Sequence, residues 1–189
     1  LDDLRTEMST IKRGSKTKLN NFRKKISDLS FLDPACGCGN FLVVAYKELR
    51  LLDIEIVKRQ YGGTYVTDAS LLKNIKLNQF YGYEIDKTSA MIAEVSMWLA
   101  EHQMNMALES EFGSVVPTIP LEEGAIITAD NALQIEWNVR AKFDVKPGED
   151  VHPAFNFILG NPPFIGKQYQ TSEQKEDMKL VFKNVQGAG

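Results

Sequence analysis

Apolar residues recur every three or four positions at Leu4, Met8, Ile11, Leu19, Phe22 and Ile26. This spacing predicts helices over residues 1–28, interrupted near Gly14-Ser15. A short apolar run at 30–33 predicts the first strand. Helical spacing returns from 40 to about 60, with Phe41, Leu42, Ala45, Leu49, Leu52 and Ile56 as the buried stripe and Gly62-Gly63 as the stop. Residues 64–78 read as a loop with a short helix or strand, and 79–85 (QFYGYEI) as the second strand. Asp86 and Thr88 are candidate caps for a helix running to about Leu108, with Met91, Ile92, Val95, Trp98 and Leu99 facing inward. Pro117, Pro120 and Gly124 mark 109–124 as loop, and 125–129 (AIITA) form the third strand. Residues 131–153, with Pro147-Gly148, look irregular. Residues 155–159 (FNFIL) are apolar enough for a central strand covered on both faces. A polar, mobile stretch follows Phe164, and a last helix covers about 172–184.

Strands alternating with helices predict a parallel α/β sheet. With 189 residues and 43% hydrophobic content, one domain with a real core is expected, preceded by a helical basic segment at 1–28. No run of about 18 apolar residues exists to span a membrane. The start, Leu1-Asp2-Asp3-Leu4-Arg5, has no signal-peptide pattern and no initiator Met, which suggests a piece of a longer protein. The two cysteines, Cys36 and Cys38, cannot complete a zinc site and sit too close for an ordinary disulfide. They read as reduced thiols, which fits a cytoplasmic protein. The net charge of −3 excludes a wholly basic nucleic-acid coat, but residues 12–25 hold Lys12, Arg13, Lys16, Lys18, Arg23, Lys24 and Lys25 without one acid. Such a run is a solvated face or a phosphate contact. His102 and His152 receive no role.

The first strand runs into Asp33-Pro34-Ala35-Cys36-Gly37-Cys38-Gly39-Asn40-Phe41-Leu42. A strand, a glycine turn and a helix start together aim backbone N–H groups at one point. The third glycine of a dinucleotide fingerprint is missing, since Leu42 stands there, and Glu84 comes 45 residues after Gly39 instead of about 20. No Walker lysine follows the turn. S-adenosylmethionine has the right shape instead. Gly37 and Gly39 let the backbone approach its methionine part, and Asp33 accepts from its ammonium group. Glu84 holds the ribose hydroxyls and Asp130 accepts from the adenine amino group. A helix-capping Glu84 and a turn-forming Asp130 are the plainer alternatives.

The fourth strand leads directly into Asn161-Pro162-Pro163-Phe164. Two prolines fix the backbone and remove two N–H donors. The Asn161 side-chain oxygen and the Pro162 carbonyl then form an acceptor pair suited to a planar –NH2 group, and Phe164 offers a face to a base. Two acceptors on the hydrogens of adenine N6 localise a lone pair otherwise delocalised into the ring, and they stabilise the positive charge that develops on methylation. A base inside a duplex must first be flipped out.

DPACGCGNFL resembles the cofactor motif of DNA adenine-N6 methyltransferases, FYGYEID their second motif, ADN their third and GNPPF their catalytic motif. The order is that of the gamma group. LDPACGCGNFLVVAYKELR, WLAEHQMN and GNPPFIGKQYQ are most similar to large single-chain type IIG/IIL (MmeI-like) restriction–modification enzymes, over most of residues 29–170. The resemblance implies a Rossmann-like S-adenosylmethionine-dependent fold, truncated here after the fourth parallel strand, with 29–189 as a partial methyltransferase domain. It implies Asp33, Pro34, Ala35, Gly37, Gly39, Glu84, Ile85, Asp130 and Asn161 at the cofactor, and Asn161, Pro162, Pro163 and Phe164 at the target adenine. Double-stranded DNA is the implied partner of the parent enzyme, in a bacterial or archaeal cytoplasm. Cys38 stands where the family commonly has serine. Of the family's seven strands only four are found, and neither the later strands nor a DNA target-recognition domain is present. The only Glu-x-Lys, Glu173-Gln174-Lys175, lacks the upstream Pro-Asp of a nuclease motif.

Two other readings stay open. A protein glutamine or RNA amino-methyltransferase presents the same –NH2 demand, though it usually lacks Asp-Pro-Ala-Cys. A non-catalytic fragment would bind cofactor or self-associate through an apolar sheet edge. Lys167, Gln168 and Tyr169 follow the catalytic turn, where they reach DNA or form a plain solvated loop.

Overall fold

The computed structural model describes residues 1–12, 14–61, 74–113, 124–135, 137 and 155–183. Gly62-Gly63, most of the 64–78 segment, Pro117, Pro120, Pro147-Gly148 and His152 lie outside them.

Helices α1 (Asp2–Thr10) and α2 (Lys16–Ser27) precede strand β1 (Phe31–Asp33), and α3 (Asn40–Tyr61) follows it. A short 3-10 turn (Leu77–Gln79) leads into β2 (Phe80–Glu84), α4 (Lys87–Phe112) and β3 (Ile126–Ala129). Strand β4 (Phe157–Ile158) and a 3-10 turn at Lys167–Tyr169 precede α5 (Ser172–Val181). The four strands are parallel and ordered β3-β2-β1-β4, a truncated Rossmann-like sheet. Register aligns Phe31 with Phe80 on one side and with Phe157 on the other. The three rings therefore stack across adjacent strands, at 4.9 and 5.0 Å between centroids, and Tyr46 of α3 meets Phe80 edge-on at 5.5 Å. Each such pair adds about 0.5–1.5 kcal/mol beyond the area it buries. This ladder is the floor on which α3 and α4 rest. On the opposite face Leu32, Tyr81 and Tyr83 are covered, among the described residues, by Ile126, Ala132, Ile135 and Phe155.

Three expectations about burial need correcting. Phe41 is exposed, while α3 buries Tyr46, Arg50 and Asp53 beside its apolar stripe. Asp53 and Arg50 are paired: Arg23 of α2 donates to both oxygens of Asp53 at 2.6 and 3.1 Å, and Arg50 donates to Asn105 at 3.1 Å, while the Tyr46 hydroxyl has no hydrogen-bond partner among the described residues. On α4 the inward face is Ala90, Ala93, Met97, Ala100, Met104 and Leu108, whereas Met91, Ile92, Val95 and Leu99 are exposed and Trp98 is half-buried. Packing chose the small residues because α4 has to come close to the glycine turn and to α3, and alanines permit that approach. Among the described residues strand β4 is an outer strand, not one covered on both faces. Its one described partner is β1, and Ile158 is 59% exposed.

Element ends shifted less. Helix α4 runs four residues past Leu108 and stops at Gly113, and α5 ends at Val181. The 161–171 segment contains the short 3-10 turn rather than being wholly irregular.

Candidate methyl-transfer site

Asp33 closes β1 and opens the glycine turn. The turn is fastened to β2, since the Cys36 N–H donates to the Tyr83 carbonyl at 3.0 Å. Gly39, at φ +84°, donates to the Cys36 carbonyl at 2.8 Å and accepts from Val43 N–H at 2.9 Å to start α3. A Cβ on Gly39 would stand 3.1 Å from the Ala93 Cβ, so the positive φ and the close approach of α4 both require glycine here.

Glu84 ends β2 and bridges two elements. Its Oε2 accepts from the Gly37 N–H and its Oε1 from the Asp86 N–H, each at 2.9 Å. It is not the helix cap. Asp86 caps α4, accepting from the Ser89 N–H at 2.7 Å. Each Glu84 oxygen keeps a further lone pair for a donor. Ile85, beside it, is 74% exposed. Asp130 follows β3, also exposed, and accepts from the Asn131 N–H at 2.7 Å. Because β3, β2 and β1 are neighbours, Asp130, Glu84 and Asp33 lie at one edge of the sheet, at the carboxyl ends of adjacent strands.

Asp33 is fully buried. Its Oδ1 accepts from the Ala35 N–H at 3.0 Å, and its Oδ2 has no hydrogen-bond donor among the described residues. Burial pushes its carboxyl above the ordinary value of 3.8; the Ala35 bond opposes this and the nearby Glu84 charge adds to it. Burial, with Asp33 and Glu84 beside it, likewise pushes the Cys36 thiol up to about 12. Both cysteines are free thiols, Cys36 buried and Cys38 exposed.

The second motif meets the first at this carboxylate. Leu159 N–H donates to the Leu32 carbonyl at 2.9 Å and carries the pairing of β4 with β1 to its end. Gly160 follows at φ +154°, against Asp33. Asn161, Pro162, Pro163 and Phe164 come next, all exposed, with the Phe164 ring entirely in solvent. Among the described residues nothing forms an opposite wall for that ring. The residues expected at a cofactor thus lie at one edge of the sheet, and Asn161 adjoins them through Gly160, while those expected at a target base stand open. Sequence reasoning missed Gly160 as the contact between the motifs, and it missed Asp177 of α5, which accepts from Asn131 and Gln134. The first was readable only as the residue before Asn161, and the second left no sequence signal.

Two other features lie elsewhere. An apolar groove of about 300 Å³, lined by Leu1, Phe31, Phe41, Val44, Phe157 and Ile158, runs beside β4 and not at the glycine turn. The basic run sits at the far end of α3, where Gln60 donates to Asn20 at 2.7 Å. There Arg23 is taken by Asp53 and Lys25 by Glu7. Twenty residues of helix separate Gln60 from Asn40, about 30 Å, so the described part of this run lies away from the crevice. Among the described residues no helix is long and apolar enough to cross a membrane.

The solved type IIL restriction–modification enzyme MmeI, in complex with DNA, superposes with a TM-score of 0.84 at 46% identity, over 99% of this chain and 24% of its own. DNA methyltransferase A of Bacillus subtilis (strain 168) is 40% identical over 172 residues, which is 89% of this chain and 18% of that protein. The chain therefore spans about a fifth to a quarter of the length of these relatives. The family described as MmeI, DNA-methyltransferase domain, matches residues 9–188. With 180 of its 189 residues inside that match, and with the glycine turn and the Asn-Pro-Pro-Phe segment meeting at Asp33, the chain belongs to the MmeI DNA-methyltransferase domain family.

Proposed function

We propose that the chain is the cofactor-binding and catalytic part of an S-adenosylmethionine-dependent DNA adenine-N6 methyltransferase, within a restriction–modification enzyme. The observation that carries this reading is the contact of Gly160 with Asp33, which joins the cofactor turn to the Asn161 segment. The residues fit the cofactor. Asp33 Oδ2 is a buried acceptor without a donor among the described residues, and a cationic ammonium group satisfies it. Glu84 offers remaining acceptor capacity to a ribose diol, Ile85 an exposed apolar face to an adenine ring, and Asp130 an acceptor to its amino group. When bound, S-adenosylmethionine supplies a methyl group on an already activated sulfonium.

The chain's own part is positioning and electrostatics. Asn161 and the Pro162 carbonyl accept from the two hydrogens of the target amino group and hold it at the cofactor edge. They stabilise the positive charge gained in the transition state, as preorganised acceptors do. Phe164 stacks on the extruded base. Duplex DNA is the partner of the parent enzyme in this reading. That MmeI was solved in complex with DNA supports it.

The test uses the full-length enzyme that contains this chain. Asn161→Ala is expected to abolish N6-methyladenine in duplex DNA while cofactor still binds. Normal N6-methyladenine from that variant sinks the mechanism, and methylglutamine or methylated RNA as the product reassigns the acceptor. A second reading applies to the 189 residues alone: the open edge of β4 and the bare Phe164 ring favour a fragment that binds cofactor without turning over.

A further inference from the structure

Helix α5 follows the catalytic segment yet buries none of its side chains. Among the described residues, its side-chain hydrogen bonds to the body of the domain converge on one carboxylate. Asp177 Oδ2 accepts from Asn131 Nδ2 and Asp177 Oδ1 from Gln134 Nε2, each at 2.9 Å. Asn131 is committed at its other atoms as well. Its side-chain oxygen accepts from the Leu133 N–H at 3.0 Å, and its backbone N–H donates to Asp130 Oδ1 at 2.7 Å. A relay from Asp177 through Asn131 therefore orients the carboxylate that follows β3.

The other end of the connecting segment is fixed at Asp33 through Gly160. Strands β4 and β3 are the outer strands of the order β3-β2-β1-β4. Three strand spacings separate them, about 14 Å. Residues 161–171 thus lead from one outer strand of the sheet to a helix tied at the other, and Asn161–Phe164 lie within that segment. A capping box at Thr171 and Gln174 makes the start of α5 a firm end point.

We infer that Asp177 is a positioning residue: it holds the Asp130 turn against the helix that follows the catalytic motif, and so makes cofactor affinity depend on where that motif's segment is anchored. The inference rests on the cofactor reading given above, in which Asp130 receives the adenine amino group. Two amide donors on one carboxylate are charge-assisted bonds. They are partly exposed, so losing them costs about three- to tenfold in cofactor affinity.

The experiment titrates S-adenosylmethionine calorimetrically into the full-length enzyme, unaltered and as Asp177→Ala, Asp177→Asn, Asn131→Ala and the Asn131→Ala/Asp177→Ala pair. Asp177→Ala is expected to raise the cofactor Kd about three- to tenfold, with KM for cofactor rising more than kcat falls. Asp177→Asn keeps one acceptor oxygen and falls between, and it carries the test if the alanine variant does not fold. The double variant is expected to bind no more weakly than the weaker single one, because both remove the same link. An unchanged Kd in the Asp177 variants, full additivity in the pair, or a loss of Tm without a change of Kd overturns the inference. If the unaltered enzyme binds no cofactor, the cofactor reading fails first and takes this inference with it.

Discussion

Gly160 is packed so tightly on Asp33 that a Cβ at residue 160 would stand 2.5 Å from the carboxylate Oδ1 and 3.2 Å from its Cγ. No real Cβ tolerates the first distance, and the φ of +154° is one that a side chain disfavours. Gly160→Ala therefore forces the backbone to retreat, and Asn161 is the next residue. A displacement near 1 Å at a positioning group costs about 100-fold in rate. The expected result is a kcat reduced by about that factor, with the cofactor Kd changed much less, in single-turnover methylation of duplex DNA. An alanine enzyme that turns over normally would show that the contact does not set the position of Asn161.

The two thiols of the turn are expected to react differently. Cys36 is buried with its thiol pushed up to about 12, so it carries almost no thiolate at neutral pH, while Cys38 is exposed. Iodoacetamide on the native chain should label Cys38 and spare Cys36, as read by peptide mass mapping. Because Cys38 lies between Gly37 and Gly39, saturating S-adenosylmethionine should slow that labelling. Equal labelling at both positions, or a rate indifferent to cofactor, contradicts the placement of the turn.

Among the described residues strand β4 pairs with β1 alone, which leaves its other edge without a described partner, and Ile158 is exposed. Such an edge pairs with another chain unless a charge blunts it. The isolated 189-residue chain is expected to sediment as more than a monomer, and Ile158→Lys to shift it toward the monomer. A chain that is monomeric without the substitution removes the edge as a pairing site.

The order of elements was legible because each strand is a short apolar run and each helix repeats at three or four. Faces were less legible. On α4 the larger apolar residues Met91, Ile92, Val95 and Leu99 promised the core, yet the alanine side faces inward. Hydrophobicity does not record how close two backbones must come, and Gly39 against Ala93 demanded the small side chains. Phe41 was misplaced for a related reason. It lies at the rim of the ring ladder rather than on it, in the groove beside Phe31 and Phe157. The carboxylates at the strand ends could be read from position alone. Their partners could not, since the bond from Gly37 to Glu84 joins residues 47 apart and those to Asp177 join residues 46 and 43 apart. No local pattern encodes such pairings.

In the proposed site, the raised carboxyl of Asp33 is expected to give cofactor binding a pH dependence of definite sign. In the free protein, burial holds its pKa above 3.8, with Glu84 adding to the shift and the Ala35 N–H opposing it. A bound ammonium group favours the ionised form and brings the pKa down. Binding therefore releases a proton wherever the pH lies between the two values. Affinity is full above the free-state pKa, falls as the pH drops through it, and levels off below the bound-state pKa. The upper end of this window lies above the ordinary carboxylate value of 3.8. The same burial makes ionised Asp33 a cost to the empty fold, so its contribution to stability is largest at low pH and is lost as the pH rises through the folded-state pKa. Affinity and stability thus change in opposite directions as the pH passes through the pKa of the free folded state. Calorimetric titration of S-adenosylmethionine over that range, in buffers of different ionisation enthalpy, should find the proton release in the unaltered chain and none in Asp33→Asn. A proton release that persists in Asp33→Asn would assign the titration to another group and remove Asp33 as the partner of the cofactor's ammonium.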